Sequence, residues 1–519
     1  MIDSGTSAGA PPLAGGAAGE QAVRDLVAVA LDAVAGATRD RTGPLPPGGP
    51  TAVADSLARL LRPAAVRVSD GAGSGELHAG SEAGPEASAE PATGGEPAGS
   101  GSAGSGSVHS TAGSPWAGVL PERGVGAAAA LADLTRVLVA GSVDPTHPWC
   151  AAHLHGPPLA VAAVADLVAS MLNPSMDSWD QAPVASELER ELTAAFAHLF
   201  FPAEPAPDAL VTSGGTESTL VGLLLAREAG ARQVVCGRNA HHSVARAAWQ
   251  LGLPEPLLVD VEDGRLRVDR LEIPERAVVV ATAGTTDTGA VDRLPEIAEC
   301  AERAGAWLHV DAAYGGAALF SDRLAPLLAG VERADSVAVD LHKFGWQPVA
   351  AGLLATRVPV TALEVRADYL NPDDDVEAGL PDLLGRSLRT SRRPDVFKIA
   401  VTLRALGRSG IGALVERCCA MAGELAEAVE AHPALRLWGK PTLSTVLLRP
   451  TVAGDDPDGD ALVAEVRRRL LTEGRAVLGR ARVDARVWLK LTLLNPAADP
   501  HAHLELLDLV AATAEETRS

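Results

Sequence analysis

HVDAAYGG at 309–316 and DLHK at 340–343 are the two stretches from which the rest of this chain can be read. The first places Asp311 at the end of an apolar run, Ala306–Asp311. The second supplies Lys343, an amine able to form a Schiff base. Pyridoxal phosphate needs such a pair: a lysine for its aldehyde and an acid that keeps its ring nitrogen protonated. A third stretch, TSGGTEST at 212–219, leaves the apolar residues Ala209–Val211 and enters a helical pattern. Its Gly214 and Gly215 allow close backbone approach, and the amides that follow open a helix, where phosphate is favoured. A fourth, RNAHHSV at 238–244, puts His241 just past a strand-like run, Gln233–Cys236, where its ring can stack on a flat cofactor.

Outward from these motifs, short apolar runs alternate with helical patterns. The runs are 209–212, 233–236, 277–282, 306–311 and 336–340. This rhythm predicts an α/β fold with a mainly parallel sheet covered by helices. His241, Thr286, Asp311 and Lys343 all fall at or beyond the ends of such runs, where ligands bind in open α/β sheets. Residues 391–519 alternate helices with strands at 443–448 and 487–493, and read as a smaller α+β unit. Amphipathic helices are expected at 20–36, 51–62 and 125–140. The 70–115 stretch is Gly, Ser, Ala and Glu with almost no large apolar side chain, and reads as a disordered insertion. Residues 1–18 read the same way. The expected organisation is an N-terminal helical dimerisation segment (1–145), a cofactor-binding large domain (146–390) and a small C-terminal domain (391–519).

In order along the chain, HPWCAAHLHGPP (147–158), NPSMDSWDQAP (173–183), TSGGTEST, NAHHSV, ATAGTTDTGAVD (281–292), HVDAAYGG, DLHK and LKLTLLNPAA (489–498) resemble the group II pyridoxal phosphate-dependent amino acid decarboxylases. The 147–158 and 173–183 segments are most similar to the L-2,4-diaminobutyrate and siderophore-pathway branch. The resemblance implies fold type I, the aspartate aminotransferase-like architecture, and a homodimer. It implies that Lys343 holds the cofactor and Asp311 pairs with its pyridinium nitrogen, that His241 stacks on one ring face and Ala313 lies against the other. Gly215 and Thr216 would bind phosphate with His342 nearby, and Thr286 would support the ring. Lys490 stands where relatives such as glutamate decarboxylase place an arginine for the substrate carboxylate, and a lysine there is a point charge and not a fork.

A second departure is the loop tyrosine that protonates Cα in many relatives. The stretch 381–390 has none, and the only tyrosines are Tyr314 and Tyr369. His241 and His155 are the candidate proton donors. His153 and His155 show no third metal ligand, so no metal is expected. The resemblance implies decarboxylation of an amino acid, with a diamino acid as the leading substrate. Glutamate, lysine, ornithine and aromatic substrates stay open, as do aldehyde-forming oxidative deamination and an inactive scaffold. For a diamino acid, Asp177 and Asp180 are candidates to face the distal ammonium.

Composition sets outer bounds. The 519 residues are 47 % hydrophobic but only 3 % aromatic, so Ala, Val and Leu must do most of the packing. A formal charge of −22 argues against nucleic acid or an anionic membrane as partner. Five cysteines in no metal-binding spacing suit a reducing cytoplasm. No signal peptide or membrane-spanning run is evident.

Overall fold

The computed structural model describes residues 13–14, 16–39, 41–61, 119–364, 372–381 and 383–519. The 70–115 stretch and most of 1–18 lie outside them. The expected N-terminal helices are present with slightly different ends, Gly16–Thr38, Gly49–Leu61 and Ala127–Gly141. The first and third pack against each other.

The central feature is a seven-stranded sheet built from β1 (Asp208–Thr212), β2 (Gln233–Gly237), β3 (Leu257–Val259), β4 (Ala277–Thr282), β5 (Trp307–Ala312), β6 (Ser336–Asp340) and β7 (Gly352–Thr356). Their spatial order is β1-β7-β6-β5-β4-β2-β3. Every pairing is parallel except those of β7, which runs antiparallel to both β1 and β6. β4 reads AVVVAT and is buried at all six positions. A central parallel strand covered on both faces needs such a run of branched apolar side chains.

The β7 strand was not anticipated from sequence. It lies between β1 and β6, and its Gly352 pairs with Thr212 on one side and Asp340 on the other. A Cβ at Gly352 would stand 2.5 Å from the Gly214 Cα, so only glycine lets the 212–216 turn fold over it. The register also brings Thr282 opposite Asp311, and Asp311 opposite Ala338. The ends of β1, β4, β5 and β6 therefore meet at one edge.

A second sheet joins Leu435–Leu437, Thr445–Pro450, Arg486–Thr492, Val477–Val483 and the short strand Cys150–Ala151. A long helix, Val396–Ala431, connects it to the large sheet and breaks helical geometry at Gly407 (φ 66°). One contiguous core runs through both sheets and contains Val279, Val310, Val446 and Leu489. As the composition requires, it is mostly Ala, Val and Leu. Among the described residues no helix is long and apolar enough to cross a membrane.

Candidate active site

Beyond the C-terminal ends of β1, β4, β5 and β6 lies a cavity of about 510 Å³. Gly215, Thr216, His241, Thr286, Asp311, Ala313, His342 and Lys343 all line it. These positions span 129 residues of sequence, from 215 to 343, and the sheet alone brings them together. Sequence reasoning had not assigned roles to Leu154, Glu217, His242, Tyr314, Asp340 and Val349, which complete much of the wall.

The glycine turn opens the helix Gly215–Glu228 at the cavity wall. Ser213 N–H is taken by Glu217 Oε2 at 2.6 Å, which ties the turn to the first turn of helix Gly215–Glu228. A Cβ on Gly215 would come within 2.7 Å of the Ala313 Cβ. The cradle therefore exists only because Gly215 is bare and Ala313 is small. The Gly215 amide itself already donates to Asp340 Oδ2 at 3.1 Å, and Thr216 keeps its place on the cavity wall.

Asp311 is buried, and its Oδ1 accepts from Ala313 N at 3.1 Å. A buried carboxylate at a cavity wall calls for a cationic partner. The protonated ring nitrogen of the cofactor is such a partner, and the glycine cradle suits its phosphate, so the residues present fit the group. His241 accepts Ser243 N–H at Nδ1 (3.3 Å) and shares a 2.8 Å contact with Ser243 Oγ. Burial is the main cause that lowers its pKa; Asp311 opposes this, and His242, Lys343 and Arg246 reinforce it. With Nδ1 committed, Nε2 is its free nitrogen. The His242 ring centroid lies 4.0 Å away.

Thr286 lies in the loop after β4, and the next helix opens at Leu294, so Thr286 caps no helix. Its carbonyl accepts from Lys490 Nζ at 2.8 Å. Lys490 is thus buried against the cavity wall and does not point to solvent; burial lowers its pKa, and Asp287 works the other way. Asp287 is half-buried, and burial raises its carboxyl pKa against the pull of Lys490.

Two groups stand apart from the cavity lining. His155 is exposed, but close enough to His342 to feel its charge, while its neighbour Leu154 lines the wall. Asp177 accepts from Gln181 Nε2 (2.8 Å) and Ser391 Oγ (3.3 Å), and Asp180 from Ser178 Oγ (2.5 Å). Neither aspartate faces the cavity. Asp180 is engaged by a local turn bond, as short polar side chains in turns commonly are, and Asp177 by one local partner and one, Ser391, distant in sequence. Tyr314 lines the cavity, but its hydroxyl is held by Ser444 Oγ at 2.8 Å and Thr445 Oγ1 at 3.1 Å. Tyr369 lies outside the described residues.

The conserved domain of pyridoxal-dependent decarboxylases matches residues 120–450. An L-2,4-diaminobutyrate decarboxylase of Rhizobium meliloti (strain 1021) is 41 % identical over 420 residues, covering 76 % of this chain and 84 % of that protein. A protein of the same name from Acinetobacter baumannii is 32 % identical over 438 residues, with coverage of 76 % and 86 %. Among solved structures, the glutamate decarboxylase domain of a diaminobutyrate-pyruvate transaminase and L-2,4-diaminobutyrate decarboxylase from Vibrio parahaemolyticus superposes with a TM-score of 0.74. It is 26 % identical, and the match covers 97 % of this chain and 98 % of that one. The fold is also that of an Oryza sativa TDC solved with PLP and tryptamine, at a TM-score of 0.71, 23 % identity and coverage of 77 % and 90 %. The chain belongs to the pyridoxal-dependent decarboxylases, and is an amino acid decarboxylase of fold type I that uses pyridoxal 5′-phosphate.

Proposed function

We propose that the enzyme decarboxylates L-2,4-diaminobutyrate or a closely related diamino acid, yielding carbon dioxide and, from diaminobutyrate, 1,3-diaminopropane. The observation that carries the substrate reading is the 41 % identity to a relative of that name over most of both chains.

The residue roles form part of the proposal. When bound, pyridoxal 5′-phosphate supplies the electron sink for the breaking bond between Cα and the carboxylate. Lys343 supplies the amine that anchors its aldehyde, and Asp311 holds the proton on its ring nitrogen. His241 covers one ring face, and Ala313 leaves room at the other. Thr216 and the glycine turn hold the phosphate. Leu154 and Val349 give the cavity apolar wall, against which a departing carboxylate is poorly solvated. Lys490, fixed by the Thr286 carbonyl, is the cation available to orient that carboxylate. His241 Nε2 carries the proton for Cα, because the Tyr314 hydroxyl is already bonded and buried. For the distal ammonium, Asp287 is the half-buried carboxylate beside the wall that no hydrogen bond or ion pair engages. Pairing there spares the substrate the cost of burying a lone charge.

The same reading takes the enzyme as a cytoplasmic homodimer. All five cysteines are free thiols, which suits a reducing compartment. Leu31, Leu134 and Leu138 stand 63 %, 50 % and 68 % exposed on the N-terminal helices, an apolar surface a second copy would cover.

The test is purified enzyme with a panel of amino acids and identification of both products. Carbon dioxide and 1,3-diaminopropane from diaminobutyrate, well above glutamate and aromatic amino acids, is expected. Preference for an acidic or aromatic substrate would overturn the substrate assignment.

A further inference from the structure

Asp292 is buried, and both of its carboxylate oxygens are taken by backbone amides. Oδ2 accepts Thr282 N–H at 2.7 Å, at the end of β4, and Oδ1 accepts Leu266 N–H at 2.8 Å. The Asp292 N–H returns to the Thr282 carbonyl at 2.9 Å. Burying a carboxylate is costly, and the two charge-assisted bonds offset that cost only while both amides stay in place. Between Thr282 and Asp292 the chain doubles back. Ala283 bridges Val291, the Gly284 and Thr285 amides both donate to Ala290 O, at 3.0 and 2.9 Å, and Gly289 N–H donates to Thr285 O at 2.8 Å. Thr286 and Asp287 stand at the tip of this hairpin. Thr286 lines the cavity, and its carbonyl holds Lys490 Nζ at 2.8 Å. A second hairpin, Val261–Glu262 with Arg265–Leu266, packs against the first. Arg265 Nε donates to Val291 O at 2.9 Å, and a Cβ on Gly264 would stand 2.5 Å from Thr288 Oγ1.

We propose that Asp292 is a positioning residue for the substrate side of the site: it clasps the 283–291 hairpin to the end of β4 and to the second hairpin, and so sets where the Thr286 carbonyl, Lys490 and Asp287 stand. This rests on reading Lys490 and Asp287 as the groups that meet the substrate. Asparagine cannot do the same work. Each carboxylate oxygen faces an amide N–H, so whichever way an asparagine turns, its own NH2 meets one of those donors. β4 keeps its place without the clasp, because it is bonded along both edges to β2 and β5. Lys343 and the glycine turn belong to other strand ends. Opening the clasp therefore moves the hairpin and spares the groups assigned to the cofactor.

The test compares wild-type and D292N holoenzyme on the amino acid that the wild type decarboxylates best, so an error in the diamino acid assignment shows in the choice of substrate and leaves this measurement intact. For D292N, KM should rise roughly tenfold while kcat falls less than about threefold. Cofactor absorbance and its retention on dialysis should match the wild type. Hydrogen exchange gives a readout apart from turnover: amides of 283–291 should exchange at least about tenfold faster in D292N, with those of Trp307–Ala312 unchanged. A merely structural role predicts another pattern, a smaller fraction of active enzyme, with kcat and cofactor retention falling together at constant KM; that result overturns the proposal. So does unchanged exchange in the hairpin. Arg265→Ala covers the case in which D292N does not fold, since it removes only the grip on Val291 O. It should shift KM and exchange in the same directions by about two- to threefold, and no shift in either sinks the idea. An error in reading Lys490 and Asp287 would appear separately, as an unchanged KM in Lys490→Met and Asp287→Asn.

Discussion

Tyr314→Phe removes a single oxygen at the point where the cavity floor meets the second sheet. That oxygen accepts the Ser444 backbone N–H at 3.1 Å and lies 2.8 Å from Ser444 Oγ and 3.1 Å from Thr445 Oγ1. Ser444 is 0 % exposed and Thr445 2 %, so water cannot replace it. Leaving one buried amide without an acceptor costs about 1–3 kcal/mol. The hydroxyls suffer less, because Thr445 Oγ1 can turn to Thr492 Oγ1 at 3.3 Å. The expected loss is about 2–3 kcal/mol. Urea unfolding of cofactor-free protein is the assay, since bound cofactor would add stability by mass action. Ser444→Ala keeps the amide-to-phenol bond and should cost only about 1 kcal/mol. The double variant should fall short of additivity by about 1 kcal/mol, because both changes delete one shared contact. A Tyr314→Phe loss under about 0.5 kcal/mol, or strict additivity, would show that this oxygen does not tie the two sheets together.

Lys343→Ala should lose the visible absorbance of bound cofactor and all turnover while leaving unfolding nearly unchanged; borohydride should label Lys343 in the wild type, and label on another lysine refutes the assignment. Gly215→Ala should weaken cofactor retention by at least about tenfold, since the new methyl lands 2.7 Å from the Ala313 Cβ; unchanged retention in a dialysis assay would mean the cradle is not where the cofactor sits. Asp287→Asn should raise KM for diaminobutyrate more than kcat falls, while an equal effect on a substrate lacking the distal ammonium would count against the pairing. The buried His309, its pKa pushed down to about 4 by burial, must be neutral in the fold. Its folded pKa lies below the unfolded value, so its contribution is present above about pH 6.5 and fades toward about pH 4, by about 3 kcal/mol in total. Asp292, pushed up to about 6 by burial, acts in the opposite sense over much of that range. The quantity to measure is therefore the stability gap between wild type and His309→Gln, which should narrow by about 3 kcal/mol on acidification; a constant gap would contradict the burial argument.

The division between what the sequence reveals and what it hides follows chain distance. Lys343, Asp311, His241 and the glycine turn are legible because each sits within a few residues of its own strand end, and strand ends in a parallel sheet converge by topology alone. β7 was missed because its direction is set by bonds across a reversal, Leu341 N to Ala351 O and Gln347 N to Leu341 O, which a five-residue apolar run does not announce. Asp340 stood in plain view in DLHK, but its partner Gly215 is 125 residues away. Tyr314 meets Ser444 across 130 residues, and Lys490 meets Thr286 across 204. Asp177 and Asp180 lie away from the cavity lining for a partly converse reason: Asp180 is held by a turn bond to Ser178, and Asp177 by Gln181 nearby and by Ser391 across 214 residues.

Those long-range contacts share a direction. Ser444, Thr445 and Lys490 all belong to the second sheet or its edge, and each reaches a residue of the cavity wall, Tyr314 or Thr286. The large sheet by itself brings together every group assigned to the cofactor. The groups proposed for substrate, Lys490 and Asp287, meet only where the second sheet lies against the β4 loop. Cofactor chemistry is therefore written into strand ends, where neighbouring residues suffice. In the proposed assignment substrate choice rests on how the two sheets abut, which no single motif spells out; the diamino acid was reached from sequence only through the resemblance of the 147–158 and 173–183 segments.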